Sequence, residues 1–324
     1  MQATVAVVVA TYNRSALLPR LMEALASQRE APPFEVIVVD DASSDETPNV
    51  LATLSSSAPF PLTVLRQPEN RGPACGRNRG WRTSSAALIC FTDDDCVPSA
   101  TWLSQMVEAL SECDLAQGCT LPNPDQRANW GPFSHTLDVR SESGHYETAN
   151  MAYRREVLDR TGGFDESFKY AYGEDCELAW RAKQGGATSR FLEQAIVYHD
   201  ITPSSWRSAL RGRQRLEGMV QVVQRQPAIR RQLGIGLFLE RRHAHALAVA
   251  AAGAALAASP SARRRWAAAA VTALWYAWDC RRSRMGPAIG PIGWIAVVPG
   301  AFVVDLAAVA VLARASVRHR TLLL

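Results

Sequence analysis

The residues best suited to chemistry in this 324-residue chain are carboxylates placed where apolar runs stop. Ala87-Leu88-Ile89-Cys90-Phe91 is short, continuous and apolar, as a strand covered on both faces would be, and Asp93, Asp94 and Asp95 follow it. Adjacent carboxylates repel, and nothing nearby in sequence neutralises them. One aspartate would serve as a turn or helix cap ahead of Pro98. Three suggest an electropositive guest such as a divalent cation, whose natural ligands are carboxylate oxygens. Both readings stay open for the stretch alone. The pair Glu174-Asp175 reads, by itself, as an acidic helix start complementing the macrodipole. His199 ends the run "RFLEQAIVYH"; alone it is a structural histidine, and in a metal-dependent setting a ligand.

These residues need a scaffold, and the first half of the chain supplies one. Val5 to Ala10 reads as a buried strand, and Ser15 to Ser27 as an amphipathic helix with Leu17, Leu18, Leu21 and Leu25 on one face. "FEVIVVDD", "LTVLR" and the run before the aspartates are further strands, with helix starts after Asp45 and Pro73. Strand and helix alternating at this spacing predict an α/β fold with a doubly wound, mostly parallel sheet. Ligands bind such sheets outside the carboxyl ends of the strands, where "TYNR", "DDASSDE" and "TDDD" converge. The first turn carries neither G-x-G-x-x-G nor G-x-x-x-x-G-K-[ST], which argues against a dinucleotide oxidoreductase and a P-loop NTPase. A nucleoside diphosphate would then need a cation and basic side chains, and Arg66, Arg71, Arg77 and Arg79 are at hand.

Taken in order, "VVVATYNR", "VVDDASSDET", "ENRGPACGRNRG", "FTDDDC", "ETANMAYRREVLDRTGGFDESFKYAYGEDCELAWRAKQGG" and "AIVYHD" resemble glycosyltransferase family 2, the inverting transferases of GT-A fold. The resemblance runs from about Val5 to His199. It implies a nucleotide site built from Thr11, Tyr12 and Arg14, with Tyr12 stacked on the base, and Asp41 with Asp40 at the base edge. Arg77, Asn78, Asp93 and Asp94 would complete that site. Asp93, Asp95 and His199 would hold a divalent cation, Mn²⁺ or Mg²⁺, with Asp95 bridging to the diphosphate. Asp175 would be the general base with Glu174 beside it, and Thr148, Asn150 and Arg181 would meet the acceptor and sugar. Arg181 reads equally as a solvent-facing charge.

The chemistry agrees with that resemblance. Displacing a nucleoside diphosphate needs charge neutralisation on the leaving group, which a divalent cation supplies. The incoming hydroxyl needs a base, and a partly desolvated carboxylate suits the task. No Q-x-x-R-W signature of processive polymerising members follows the base, so transfer of a single sugar is expected. An ionised phosphate acceptor would need no base, so a hydroxyl acceptor on a glycan or lipid-linked glycan is expected, with a UDP-sugar as donor. Two alternatives stand beside this reading. A sugar nucleotidyltransferase would usually open with a glycine-rich loop, absent here, and an inactive membrane scaffold sits poorly with an intact Asp95, Asp175 and His199.

Charge divides the chain. Residues 1–200 carry 17 Lys+Arg against 27 Asp+Glu, a net of −10, whereas residues 201–324 carry 18 Arg against 4 acids, a net of +14. An acidic, cation-using body is thus followed by a tail suited to an anionic surface. The expected division is a catalytic domain over 1–225 and a helical, membrane-associating region over 226–324. Ala244 to Ala258, Trp266 to Trp278 and Ala288 to Ala313 are apolar, and the first two are shorter than the ~20 residues a span needs. Arginines flank both ends of each, against simple crossing under the positive-inside rule. Interfacial or re-entrant helices fit better, with Trp266, Trp275, Trp278 and Trp294 at headgroup depth and arginines among anionic lipid phosphates. A spanning helix in the third run and a soluble packing domain are the other readings. Nucleic acid is not an expected partner, since no known binding module accompanies the arginines. The seven cysteines form no C-x-x-C pair and read as reduced, structural thiols. With no secretory signal ahead of the first strand, the expected location is the cytoplasmic face of the membrane.

Overall fold

The computed structural model describes residues 4–168, 170–233, 236–257, 262–283 and 293–324. It divides into two compact units, Met1–Pro124 with Thr136–Asp200, and Asp125–His135 with Ile201–Leu324. The first unit is built on eight strands: β1 (Val5–Thr11), β2 (Phe34–Asp40), β3 (Leu62–Arg66), β4 (Leu88–Phe91), β5 (Cys96–Pro98), β6 (Leu115–Pro122), β7 (Met151–Arg154) and β8 (Ser189–His199). They form one sheet in the order β3-β2-β1-β4-β7-β6-β8-β5.

Successive side chains of β1 enter different cores. Val5, Val7 and Val9 pack on one face of the sheet, and Ala6 and Val8 on the other. This double burial is why the run is continuously apolar rather than alternating. The first face is covered by α1 (Leu18–Ala26), α2 (Thr47–Ser57) and α4 (Trp102–Ala109) through Leu21, Leu51 and Trp102. The second is covered by α3 (Pro73–Thr83), α5 (Arg155–Thr161) and α6 (Glu174–Gln184) through Trp81, Leu158 and Leu178.

β1 is parallel to both β2 and β4, β2 to β3, and β6 to β8. The mostly parallel, doubly wound GT-A sheet expected from the sequence is present, with two reversed strands added. β7 runs antiparallel to β4 and β6, and β5 antiparallel to β8. Because the chain builds outward from β1 first to β2 and β3 and then to β4, the strand order reverses between β1 and β4. A ligand crevice opens at such a switch point.

In the second unit the chain is helical: α7 (Trp206–Arg211), α8 (Glu217–Arg225), α9 (Arg241–Ala257), α10 (Ala262–Ser283) and α11 (Gly293–Arg318). Asp305, fully buried on α11, accepts a hydrogen bond from Tyr276 Oη on α10 at 2.7 Å and lies 3.3 Å from Arg242 Nε on α9. One buried carboxylate therefore ties three helices together. Among the described residues, Ala296–Arg318 is long and apolar enough to cross a membrane by length and composition, with a mean hydropathy of 2.3. Arg284 and Pro291 lie outside the described residues, as do the side chains of Trp294 and Arg263 to Arg265. All seven cysteines are buried free thiols, as the sequence suggested.

Candidate active site

The aspartate triplet leaves β4 at the switch point and is drawn into a network rather than a cap. Thr11 Oγ1, at the end of β1, donates to Asp94 Oδ2 at 2.7 Å. Burial, reinforced by the neighbouring Asp95 charge, pushes the Asp94 carboxyl up to about 7. Arg14 Nε stands 3.9 Å from the same carboxylate. Asp95 is brought to His199 by the β5–β8 ladder, in which Cys96 is the register partner of His199. The imidazole Nε2 lies 3.5 Å from Asp95 Oδ1, while Nδ1 is 2.8 Å from the Asp200 carbonyl. A carbonyl only accepts, so Nδ1 carries a proton, and Nε2 is the ring nitrogen turned to Asp95. Ligating atoms of Asp95, Cys96 and His199 all lie within 4.8 Å of one another. Burial and the Asp95 charge push the Cys96 thiol up, away from the thiolate a metal would bind. Carboxylate oxygen and imidazole nitrogen remain, a mixed donor set that Mn²⁺ accepts more readily than Mg²⁺, whose ligands are oxygens.

Arg77 links this cluster to the acidic pair on α6. Its Nη2 donates to Asp93 Oδ1 at 2.8 Å and its Nη1 to Glu174 Oε1 at 2.9 Å. Glycines set its place: a Cβ on Gly80 would fall 2.4 Å from Val8 Cγ1, so α3 lies directly on β1. Gly173, at φ 101° in the left-handed region, turns the chain into α6 and points Glu174 and Asp175 inward. Asp175 is partly exposed; its Oδ2 accepts the Thr148 backbone N–H at 3.3 Å and its Oδ1 the Cys176 N–H at 2.8 Å. Burial and the adjacent Glu174 charge hold the Asp175 carboxyl well above the usual range. Such a carboxylate can take a proton from a hydroxyl. Thr92 Oγ1 donates to the Ala149 carbonyl at 2.9 Å, fixing the loop before β7 against the end of β4.

Tyr12 is 44% exposed, open to a stacking partner. Several other residues expected to touch the nucleotide or acceptor are engaged by the protein instead. Asp40 accepts from Ser43 N and Arg66 Nη1, and Asp41 from Gln67 Nε2, Arg71 N and Gly72 N. These bonds shape the loops after β2 and β3. Asn78 donates to the Phe164 carbonyl and Glu166 and accepts from Phe164 N and Trp81 Nε1. It fastens the loop "GGFDE" from beneath. Asn150, fully buried, donates to the Cys119 and Ala195 carbonyls and accepts from Trp102 Nε1. Arg181 is taken up by Glu177 and the carbonyls of Thr161 and Gly163. In this structure Asn78, Asn150 and Arg181 therefore hold the protein's own backbone and side chains: the two buried amides are satisfied locally, and Arg181, partly exposed, is bound to Glu177. Non-glycine residues in left-handed conformation, Asn13 (φ 52°), Ala42 (φ 62°) and Tyr146 (φ 53°), lie in the loops carrying these motifs.

Comparison with known proteins decides the family. The family model described as glycosyl transferase family 2 matches residues 6–169, and that of glycosyl transferase family group 2 matches residues 88–309. The chain belongs to glycosyl transferase family 2. It is a glycosyltransferase, which sets aside the nucleotidyltransferase and scaffold alternatives. Within this family it is 29% identical over 208 residues to glycosyltransferase AglE of Haloferax volcanii, covering 61% of this chain and 67% of that protein. It is 25% identical to the chondroitin synthase of Pasteurella multocida over 61% of this chain, but only 25% of that larger protein. The pre-mycofactocin glycosyltransferase of Mycobacterium tuberculosis is 28% identical, with 60% and 42% covered. Among solved structures, the mannosyltransferase PcManGT from Pyrobaculum calidifontis, in complex with GDP-Man and Mn²⁺, superposes with a TM-score of 0.67 at 22% identity. That match covers 96% of this chain and 88% of that one. TarS 1–349 of S. aureus in complex with UDP gives 0.51 at 20% identity, covering 88% and 89%. These likenesses show the family 2 fold, GT-A.

Gln117, and Glu147 and Tyr153 within "ETANMAYRR", were not singled out by the sequence; Gln117 Nε2 bonds Glu147, which precedes the Thr148 N–H bound to Asp175. The available signal was Gln117, a polar residue within the otherwise small and apolar strand "LAQGCTLP".

Proposed function

We propose that this chain is an inverting, metal-dependent glycosyltransferase. It moves a single sugar from a nucleotide-sugar, with a UDP-sugar the first to test, to a hydroxyl acceptor. The proposed setting is the cytoplasmic face of the membrane, in synthesis of a cell-surface polysaccharide or glycolipid. The observation that carries this reading is Arg77, which joins Asp93 at 2.8 Å and Glu174 at 2.9 Å and so couples the acidic triplet to the base. Asp93, Asp95 and His199 would hold the divalent cation, with Thr11, Arg14 and Asp94 beside them and Tyr12 under the base. When bound, the cation neutralises charge on the leaving diphosphate. Asp175 takes the acceptor hydroxyl's proton as that oxygen forms its bond to the anomeric carbon from the side opposite the diphosphate. The anomeric carbon's bond to the diphosphate oxygen breaks, the electron pair leaves with the nucleoside diphosphate, and the configuration inverts.

The Mn²⁺ in PcManGT supports the cation, and GDP-Man there against UDP in TarS leaves the donor base to experiment. We assign transfer to the first compact unit and membrane attachment to the helical region within the second. A screen of purified full-length protein over nucleotide-sugars, with and without Mn²⁺, tests the reading. Expected are turnover of one donor, loss of turnover in EDTA and in Asp95→Ala, and recovery of the wild type when Mn²⁺ is restored. Chelator-insensitive turnover would overturn the metal assignment.

A further inference from the structure

Beside the proposed base stands a second carboxylate. Glu147 immediately precedes Thr148, whose backbone N–H reaches Asp175. Gln117, buried on β6, donates its Nε2 to Glu147 Oε2 at 2.8 Å. Among the described residues, Glu147 Oε1 accepts no hydrogen bond, and the side chain is partly exposed.

On the amide that holds Glu147, Gln117 Oε1 is buried without a partner; so are Glu174 Oε2, next to Asp175 in sequence, and Tyr153 Oη. Gln117 faces Glu147 directly, whereas the Tyr153 phenol is raised by burial first and the Asp175 charge second. Native interiors leave few such orphans, and one on the amide beside a partly exposed carboxylate marks a place that a guest, or water it brings, can complete. The amide oxygen and the ionised carboxylate only accept. The guest must therefore offer hydrogen-bond donors.

The backbone is held to present Glu147. Tyr146 adopts φ 53°, a conformation that costs a non-glycine residue stability and persists only where surroundings impose it. Its phenol is anchored by Lys183 Nζ at 2.7 Å and donates to Glu142, with the ammonium 5.2 Å from the ring centroid. Charge narrows the guest further. Glu147, Glu174 and Asp175 are three carboxylates, Arg77 is committed to Glu174, and Arg181 to Glu177. An anionic acceptor would be repelled here.

We propose that Glu147, steadied by Gln117, is an acceptor-recognising residue, and that the acceptor is an uncharged polyol. It would present one hydroxyl to Asp175 and a second to Glu147. This rests on the reading of Asp175 as the base at the acceptor end.

The test uses full-length enzyme, the donor found by the screen, and three probe acceptors: octyl glucoside, octyl glucosaminide and octyl glucuronide. Wild type should prefer the glucoside to the glucuronide by ~10-fold or more in kcat/KM, the scale of one hydrogen bond to a charged group. Glu147→Gln should raise the KM for the glucoside by ~10-fold and narrow that preference, and Gln117→Leu should move KM in the same direction. Binding of UDP and GDP, measured on each variant, reports whether the donor side is folded. An unchanged KM and charge preference in Glu147→Gln, a preference for the glucuronide, or a response to none of the three probes overturns the proposal. Should Asp175→Asn keep transfer, the base reading fails instead, and the Glu147 effect on KM is scored separately.

Discussion

Arg77 and Glu174 meet through a 2.9 Å contact, Nη1 to Oε1, in which both side chains are buried. The second arm of the same guanidinium holds Asp93, which is 29% exposed at its side chain. One residue thus connects the carboxylates at the end of β4 with the acidic start of α6, and Arg77 itself lies 97 residues before Glu174 in sequence. A planar fork can make both bonds at once; a lysine ammonium is a single point charge.

Removing that fork should damage folding and activity together. Arg77→Met leaves Glu174 buried and unpaired, a change that typically costs about 3–5 kcal/mol. Arg77→Lys keeps the charge but not both bonds, so it should fall between wild type and Arg77→Met in denaturant midpoint. Equal midpoints for all three proteins would show that the bridge does not hold the two walls together.

The pH dependence of transfer should carry the mark of Asp175. Its carboxyl lies above the ordinary range because of burial first and the Glu174 charge second. A base works only when deprotonated, so kcat/KM should fall as pH drops through a value well above that of a free aspartate. Glu174→Gln removes the neighbouring negative charge, lowers the affinity of Asp175 for its proton and should move the acid limb to lower pH. Asp175→Asn should keep nucleotide binding and lose transfer by ~10²-fold or more. A profile that Glu174→Gln leaves in place would assign the limb to another group.

Much of this architecture was legible because doubly buried strands have an unmistakable composition. "TVAVVVAT" and "FEVIVVD" could only be covered on both faces, and the polar residues after them, Tyr12 to Arg14 and Asp41 to Asp45, could only sit at one edge of the sheet. The reversed direction of β7 was not legible. "MAYR" is four residues long, and its direction is set by pairing between β4 and β6, far away in sequence. The same holds for the fate of polar side chains. Asn78 looks like a ligand contact in its motif, yet its partners lie 86 and 88 residues downstream at Phe164 and Glu166. Gln117 belongs to no motif the sequence offered, and Glu147 opens the motif "ETANMAYRR" without standing out from it. They become visible only when β6 and the loop before Thr148 are placed side by side.

Close packing of α3 on β1 gives a prediction about the scaffold alone. A methyl added at Gly80 would meet Val8 Cγ1 at 2.4 Å and Val39 Cγ2 at 3.4 Å. Both neighbours are fully buried strand residues with little room to move. Gly80→Ala should therefore destabilise by about 1–3 kcal/mol, despite the better helix propensity of alanine. Thermal denaturation beside wild type measures it, and an unchanged or higher midpoint would mean that α3 stands off the sheet.

The helical region offers a surface that water does not favour. On α10, Val271, Leu274, Trp275 and Trp278 follow the spacing of one helix face, with 66, 70, 47 and 57% of their surface exposed, and Trp266 is 76% exposed. Contiguous exposure of this kind marks an interaction site. Arg281, exposed at the end of the same helix, and the arginines around it in sequence add attraction to anionic lipid, worth roughly 1 kcal/mol per residue near the surface. Salt screens that attraction and leaves apolar insertion largely intact. Full-length protein should therefore sediment with anionic vesicles, resist a salt wash in part and be released by detergent. Trp275 packs against His245, the rings tilted by 43° with centroids 4.0 Å apart, so the informative substitutions are Trp266→Ser, Leu274→Ser and Trp278→Ser together. The triple variant should lose the salt-resistant fraction and keep the salt-sensitive one. If wild type stays in the supernatant with anionic vesicles and without detergent, the α10 face serves another protein surface and the membrane assignment falls.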